Sequence, residues 1–120
     1  MTDGDVGLTP LPQADGRFKP RPAILLRRMP PFGDWRICGV SSQLHQQVVG
    51  FGEIIESSHP DFAGSGLKVA SVIRLGFLTT MPAERFLGRI GSISHERHAR
   101  LLDRLSRFLA MERSANPEAE

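Results

Sequence analysis

Cysteine, lysine and long apolar runs are all scarce in this chain of 120 residues. The single cysteine, Cys38, cannot form an internal disulfide, so a reducing compartment is the simplest setting for the protein. No apolar run approaches the roughly 20 residues needed to span a bilayer, and the N-terminal residues carry no signal-peptide pattern. These absences predict a cytoplasmic protein with no membrane partner.

Because lysine is scarce, nearly all of the positive charge is carried by arginine, although the formal net charge is only +2. Arginine presents a fixed fork of donors that matches the planar geometry of phosphate and carboxylate groups. Most arginines in any protein are nonetheless solvated surface residues. The composition alone therefore does not identify a nucleic-acid-binding protein.

The length suits a single domain with one core, which we assign to residues 1–112. A core of this size folds without a disulfide or a structural metal. The remaining residues, 113–120, are mostly polar, and we expect them to form a disordered tail.

Proline and glycine interrupt the first two thirds of the chain so often that long helices are excluded there. Short apolar runs of strand length lie between them, at 6–8, 23–26, 35–44, Glu53–Ile55 and 67–78. The third run is apolar on both faces, as in a central strand, with Trp35 and Ile37 on one face and Cys38, Val40 and Leu44 on the other. The pattern predicts a mainly β domain, either a compact barrel or a sandwich.

The pattern changes at the end of the last run. Thr80, followed by a proline at position 82, predicts the start of a short helix, and residues 87–93 predict a last strand. Ser94 then caps a longer amphipathic helix, with Glu96 in the first turn to suit the helix dipole. One apolar stripe runs along that helix and consists of Leu101, Leu102, Leu105, Phe108 and Leu109.

The most informative segment surrounds Arg21, which lies between Pro20 and Pro22. Each proline fixes its own φ and pushes the preceding residue into the extended region, so the backbone at Arg21 is held still at the start of a buried strand. Such a backbone pre-organises a guanidinium group. On spacing alone, an ordinary surface arginine at a strand start is the more frequent case.

Several segments, in order and at consistent spacing, resemble the PemK/MazF family of toxins from toxin–antitoxin pairs. They are 4–6, 10–12, 15–16, Lys19 and 21–23 near the start, 40–43 and 65–67 in the middle, and 71–74, Thr79 and 87–91 before the closing helix. Each segment is weak by itself, but the ordered set covers nearly the whole domain.

The resemblance implies a small SH3-like barrel of the CcdB/Kid/MazF type, with a short helix and a C-terminal helix, acting as a homodimer with a cognate antitoxin protein. It also implies metal-independent endoribonuclease cleavage of single-stranded RNA, with no cofactor. The family's arginine before proline matches Arg21, and its hydroxyl residue after the central strand matches Ser41. A second arginine, used by some members, matches Arg74.

In such cleavage the neighbouring 2′-OH attacks phosphorus, and a pre-organised arginine with a hydroxyl donor can stabilise the charge on the equatorial oxygens. Some members place an acidic residue two positions after the second arginine, where this chain has Gly76. The nearest other groups for proton transfer are Asp15 and His45. We expect the RNA to be contacted by Asp15, Arg17, Phe18, Lys19, Ser42, Gln43 and His45.

Other candidates carry weaker signals. His95 and His98 could share a metal, but two ligands are too few for a closed site, so no metal site is predicted. Arg97, Arg100, Arg104 and Arg107 form a basic band on the last helix. A solvated face paired with Glu96 and Asp103 is the default for that band, and an RNA or antitoxin contact is the alternative. We predict that Cys38 is a small buried residue rather than a nucleophile.

The sequence leaves three alternatives open. Phe18 either stacks on a base or packs on the barrel, and Trp35 with Phe32 either covers a barrel end or lies in a dimer surface. The protein as a whole is an endoribonuclease, or a non-catalytic module that grips another protein, as the related gyrase poison CcdB does, or an oligonucleotide-binding barrel.

Overall fold

The computed structural model describes residues 1–12 and 15–111, which form one curled, six-stranded antiparallel sheet in the order β4-β5-β3-β2-β1-β6. The strands are β1 (Asp5–Pro12), β2 (Phe18–Met29), β3 (Asp34–Ser41), β4 (Glu53–Ile55), β5 (Ser71–Met81) and β6 (Gly88–Ser92). A short helix α1 (Phe62–Ser65) precedes β5, and α2 (His95–Leu109) ends the described fold. Single 3-10 turns lie at Leu44–Gln46 and Ala83–Arg85. The predicted mainly β domain is confirmed.

Side chains alternate along the strands, so the sheet buries apolar groups on both faces. The main cluster lies under α2 and includes Val6, Ile24, Leu26, Cys38, Val40, Ile55, Ile73, Leu75, Leu101 and Leu105. The opposite face holds a smaller cluster of Ala23, Leu25, Trp35, Ile37 and Met81, with Phe86 packed against it. The predicted faces of β3 are therefore confirmed, except that Leu44 lies beyond the strand in a 3-10 turn and is exposed.

The first hairpin is longer than the sequence predicted. β1 runs to Pro12 and β2 begins at Phe18, so Arg21 lies inside a strand rather than at its start. The four prolines of this hairpin are tolerated because β1 has no β6 partner beyond Leu8 and β2 has no β3 partner before Ala23. Each proline thus lies where its strand has a hydrogen-bonded neighbour on one side only, so its missing N–H group can face the unpaired side.

The short helix predicted after Thr80 is present only as the 3-10 turn at Ala83–Arg85, and its predicted start is wrong because β5 continues through Met81. Thr80 pairs with Arg36 and Met81 with Trp35, and only a single 3-10 turn follows Pro82. The predicted last strand is confirmed as β6, within the predicted residues. The structure adds α1, which the sequence did not indicate.

The predicted cap and helix at the C-terminal end are confirmed. The Ser94 hydroxyl accepts the backbone N–H of Arg97 at 3.1 Å, and Leu101 and Leu105 are buried against the sheet. The end of the predicted stripe is exposed, since Phe108 is 56% and Leu109 is 70% accessible. No helix in the described part of the chain is long and apolar enough to cross a membrane. The predicted tail, 113–120, lies outside the described residues.

Arginines of α2 meet carboxylates from two other segments in what we call the α2 ion cluster: Glu53, Asp61, Arg97, Arg100 and Arg104. Arg97 donates from Nε and Nη2 to the two Asp61 oxygens at 2.8 and 3.1 Å, and from Nη1 to Glu53 Oε1 at 2.6 Å. Arg100 Nε and Arg104 Nη1 reach Glu53 Oε2 at 2.9 and 2.7 Å. The solvated face predicted for this helix is therefore wrong at Arg97, which is only 5% exposed.

These contacts lower the pKa values of both carboxylates, Glu53 and Asp61. The hydrogen bond from Arg97 lowers the pKa of Asp61 to about 2, helped by the backbone N–H of Ser94. Burial alone would raise the pKa of Glu53, but the hydrogen bond from Arg100 and the charges of the three arginines lower it. Both carboxylates are therefore held in the charged form, as a buried ion pair requires. The predicted pairing of Asp103 is confirmed with Arg107, at 3.0 Å.

Candidate functional site

Arg21, Ser41 and Arg74 lie on three neighbouring strands and on the same face of the sheet. Arg21 is two residues before Ala23, which pairs with Gly39, and Ser41 is two residues after Gly39. Gly39 pairs on its other side with Arg74. On one face of adjacent antiparallel strands, directly opposite residues have Cβ atoms about 5 Å apart and diagonal neighbours about 7–8 Å apart, so the register places all three residues around Gly39. The structure thus brings together the residues that the family resemblance matched to the phosphate site.

The backbone of Arg21 is anchored from the neighbouring strand. Thr9 pairs with Arg21, its side chain is fully buried, and its hydroxyl donates to the Arg21 carbonyl at 3.3 Å. Pro20 and Pro22 restrict the same stretch from both sides. Arg21 is itself an exposed residue, so a fixed backbone carries its side chain at the surface of the sheet.

Ser41 ends β3 and begins the turn that carries the other hydroxyl and amide candidates. Its Oγ accepts the backbone N–H of Gln43 at 3.1 Å, which fixes the hydroxyl and leaves its hydrogen available to donate. Ser42 and Gln43 are exposed beside it, and His45 is exposed in the 3-10 turn that follows. Ser42, Gln43 and His45, which were predicted as RNA contacts, are thus accessible and lie directly after Ser41 in the chain.

Arg74 is positioned by an aromatic ring that the sequence did not single out. The register between β3 and β5 shifts after the Cys38–Leu78 pair to Gly39–Arg74, so Leu75, Gly76 and Phe77 bulge from β5. The guanidinium carbon of Arg74 lies 5.0 Å from the centre of the Phe77 ring, within cation–π distance. The ring covers Gly39, where an added Cβ would approach it to 2.7 Å.

Replacing Gly39 tests this packing. We expect Gly39→Ala to displace Phe77 and to lower the free energy of unfolding by about 1–3 kcal/mol, the usual cost of overpacking. Removing the ring in the double variant Gly39→Ala/Phe77→Ala relieves the clash, so urea unfolding gives a smaller loss than the sum of the single losses. Gly88→Ala is the control, because an added Cβ there meets no atom within 4 Å. Additive losses would contradict the proposed contact.

The remaining predicted RNA contacts lie along the first hairpin. Asp15 is exposed at its tip and accepts the backbone N–H of Arg17 at 2.9 Å. Arg17 and Lys19 are also exposed, and Phe18 is 66% accessible, which favours a free ring over one packed on the barrel. The strand segment from Phe18 to Arg21 spans about 10 Å, so Asp15 lies well away from Arg21 along the hairpin.

Cys38, His98 and Trp35, which the sequence also singled out, are buried or hydrogen-bonded within the fold. Burial raises the pKa of the Cys38 thiol to about 12, which agrees with the prediction of a buried residue rather than a nucleophile. His98 donates from Nε2 to the Leu26 carbonyl at 2.8 Å. Trp35 is buried on the sheet with Arg28 stacked 4.9 Å from its ring centre, while Phe32 is 86% exposed. No group of three or more potential metal ligands occurs among residues 1–12 and 15–111.

A depression of about 910 Å³ lies around the α2 ion cluster rather than at Arg21 and Ser41. The arginines that line it are already paired with carboxylates, and Glu56 and Glu96 add negative charge to its wall. We place the candidate phosphate site at the face around Gly39, where Arg21, Ser41 and Arg74 lie together. Arg21 is exposed there, and Ser41 and Arg74 are half-buried.

Sequence reasoning missed Thr9 and Phe77. The partner of Thr9 is the Arg21 carbonyl on another strand, and Phe77 is positioned by an irregular register, so neither role leaves a local signal. The available hint was Gly39, because a glycine inside a central strand often marks a close approach of another group.

Comparison with known proteins agrees with this picture. The sequence matches, over residues 2–109, the family described as PemK-like, MazF-like toxin of type II toxin-antitoxin system. No curated protein sequence matches it. Among solved structures, the Mycobacterium tuberculosis toxin MazF-mt6 has the same fold, with a TM-score of 0.62 and 18% sequence identity over 91% of this chain and 99% of that chain. The predicted barrel is thereby confirmed, and because the family match spans nearly the whole described fold, the chain belongs to the PemK/MazF-like toxin family.

Proposed function

We propose that this protein is a toxin of a type II toxin–antitoxin pair that cleaves single-stranded RNA without a metal ion. The observation that supports this function is the placement of Arg21, Ser41 and Arg74 on one face of the sheet, around Gly39. Two cations and a hydroxyl donor around one point match the demands of a phosphate whose charge grows in the transition state.

The reaction that suits this set is an internal transfer. The 2′-oxygen forms a bond to phosphorus, the bond from phosphorus to the 5′-oxygen breaks, and the products are a 2′,3′-cyclic phosphate and a 5′-hydroxyl. Arg21 and Arg74 bind the equatorial oxygens, and Ser41 donates a neutral hydrogen bond. Because the attacking group is a 2′-OH, the same site discriminates RNA from DNA.

Proton transfer requires a base at the 2′-OH and an acid at the 5′-oxygen, each worth about 10²–10⁴ in rate. His45 is the better placed of the two candidates, since it lies in the exposed turn that continues from Ser41. Asp15 lies at the far end of the hairpin and holds the turn at Arg17. We assign Asp15, with Arg17, Phe18 and Lys19, to binding the RNA strand rather than to chemistry.

The partners proposed with this function are a single-stranded RNA substrate, a cognate antitoxin and a second copy of the chain, in the cytoplasm. The exposed aromatic and basic residues of the hairpin suit a single strand, since Phe18 can stack on a base while Arg17 and Lys19 contact phosphates. Ser42 and Gln43 extend this surface on the other side of Arg21.

Purified protein should cleave a single-stranded RNA pool in the presence of EDTA. The expected products carry a 2′,3′-cyclic phosphate and a 5′-hydroxyl, which mass spectrometry of the fragments identifies. A substrate with a 2′-deoxynucleotide at the cleaved position is the matched control, and it should remain intact because it lacks the nucleophile. Cleavage that requires added metal, or that also cuts the deoxy substrate, would exclude this mechanism.

A second candidate is a non-catalytic binding module on the same barrel. Gly76 favours it, because this position offers no carboxylate where some family members carry one, and it lies in the bulge beside Arg74. An RNA pool that is bound but left intact under all conditions would support the second candidate. Binding that weakens steeply with salt would further assign its ligand as nucleic acid.

A further inference from the structure

A small depression opens next to Arg74, between the β5 bulge and the loop after β3. It measures about 190 Å³, and its walls are Val48, Phe51 and Phe77, with Gln46 and Gly76 also lining it. Val48 is 61% and Phe77 is 41% exposed, so apolar surface faces solvent here. The depression has room for one planar ring, and Arg74 of the candidate phosphate site lines it.

Gln46 is an unusual member of this wall. Its side-chain oxygen is buried and, within residues 1–12 and 15–111, has no hydrogen-bond partner. A buried polar atom without a partner is unfavourable and calls for an explanation. The terminal torsion of glutamine is broad, so its carboxamide can turn to present either a donor or an acceptor to a molecule in the depression.

The position of Gly76 keeps the depression open. An added Cβ at Gly76 would already contact the Phe51 ring, at 3.8 Å, so a larger side chain would fill the space between Phe51 and Phe77. Gly76 also avoids placing negative charge beside Arg74. The residue that this chain has in place of an acid thus creates room for a ring next to the phosphate site.

We propose that this depression is a nucleobase subsite, in which Phe77 and Phe51 contact the faces of one RNA base and Gln46 hydrogen-bonds to its edge. Aromatic side chains bind bases by stacking, and an amide group reads the donor and acceptor pattern of a base edge. The subsite rests on the proposed function, since it reads a base of the RNA whose phosphate Arg74 contacts. It makes Gln46 a residue that determines cleavage specificity.

Sequencing of the fragment ends from a randomised RNA pool tests the subsite. We expect Gln46→Leu to weaken the base preference at one position near the cut by about tenfold, with a much smaller loss of total cleavage. Gln46→Glu should change which base is preferred, because a carboxylate only accepts. Gln47→Leu is the matched control and should behave as the wild type, because Gln47 is the next residue, is exposed, and lines the depression at the α2 ion cluster instead.

Gly76→Leu fills the depression while Gln46 is left unchanged in sequence, and it should also weaken the preference. If the base preference is unchanged in Gln46→Leu, Gln46→Glu and Gly76→Leu, the depression does not bind a base and the proposed subsite is wrong. If the wild type leaves all RNA intact, the proposed function fails, and the subsite is then decided by selecting bound sequences from a 2′-O-methyl RNA pool. A base preference that depends on Gln46 in that selection would retain the subsite, and its absence would reject it.

Discussion

Arg21→Ala should lower the rate of RNA cleavage by about 10²–10³, the usual cost of removing one donor that stabilises transition-state charge. This corresponds to about 3–4 kcal/mol of the activation free energy. The size of the effect follows from pre-organisation, because Thr9 and two prolines hold the backbone of Arg21 before substrate arrives. Single-turnover rates at saturating RNA measure the loss without the contribution of binding.

Two variants on the same strand show whether the effect is specific. Arg21→Lys keeps the charge but loses the planar fork, so its rate should fall between those of the wild type and Arg21→Ala. Arg27→Ala removes an exposed arginine that pairs with Asp3 at 3.2 Å, and such a surface pair contributes little to stability. A loss of rate in Arg27→Ala equal to that in Arg21→Ala would assign the effect to general electrostatic attraction of RNA.

The unfolding free energy of Arg21→Ala should stay within about 0.5 kcal/mol of the wild type, because the altered side chain is exposed. Urea unfolding of the two proteins measures this difference. A large loss of stability together with the loss of rate would instead identify Arg21 as a structural residue, which is the alternative that spacing alone favoured.

Local patterns predicted the elements whose signals are contained in a few residues. Glu53–Ile55 was predicted as a strand with the observed bounds, and Ser94 was predicted as the cap of the last helix. Both depend on side chains that act on their own segment, through β-branched residues in the first case and a hydroxyl group in the second.

The errors occurred where a neighbour from another part of the chain decides the structure. Pro10 and Pro20 lie inside strands because their missing N–H groups meet no third strand, a fact that depends on where β3 and β6 end. Thr80 and Met81 extend β5 because Arg36 and Trp35 pair with them across the sheet. The proline at position 82 therefore indicated the 3-10 turn that follows it but not the residue at which β5 ends.

The candidate site also contains residues that the sequence indicated and residues that only the structure reveals. Arg21, Ser41 and Arg74 were found by family resemblance, and the register then explained why they share a face. Phe77 and Gln46 could not be found, because their surroundings are created by a bulge that brings distant segments together.

Arg97→Met should lower the free energy of unfolding by about 3–5 kcal/mol, because it leaves the Asp61 carboxylate, whose side chain is only 10% accessible, without its charged partner. Glu53 keeps Arg100 and Arg104, so the loss is concentrated at Asp61. Thermal or urea unfolding measures it. Arg107→Met is the matched control on the same helix, since Arg107 is exposed and its pair with Asp103 is worth only about 0.3–0.5 kcal/mol. Equal losses in the two variants would contradict a buried cluster.

The pH dependence separates this ionic effect from lost packing. Asp61 has a folded-state pKa of about 2, below its ordinary value, so its contribution is fully present above the ordinary value and is lost as the pH falls from about 4 to 2. Glu53 acts in the same direction, because its pKa is also lowered. The stability difference between the wild type and Arg97→Met should therefore be large at neutral pH and shrink across this window. A constant difference would mean that Arg97 stabilises the fold through its methylene groups rather than through its charge.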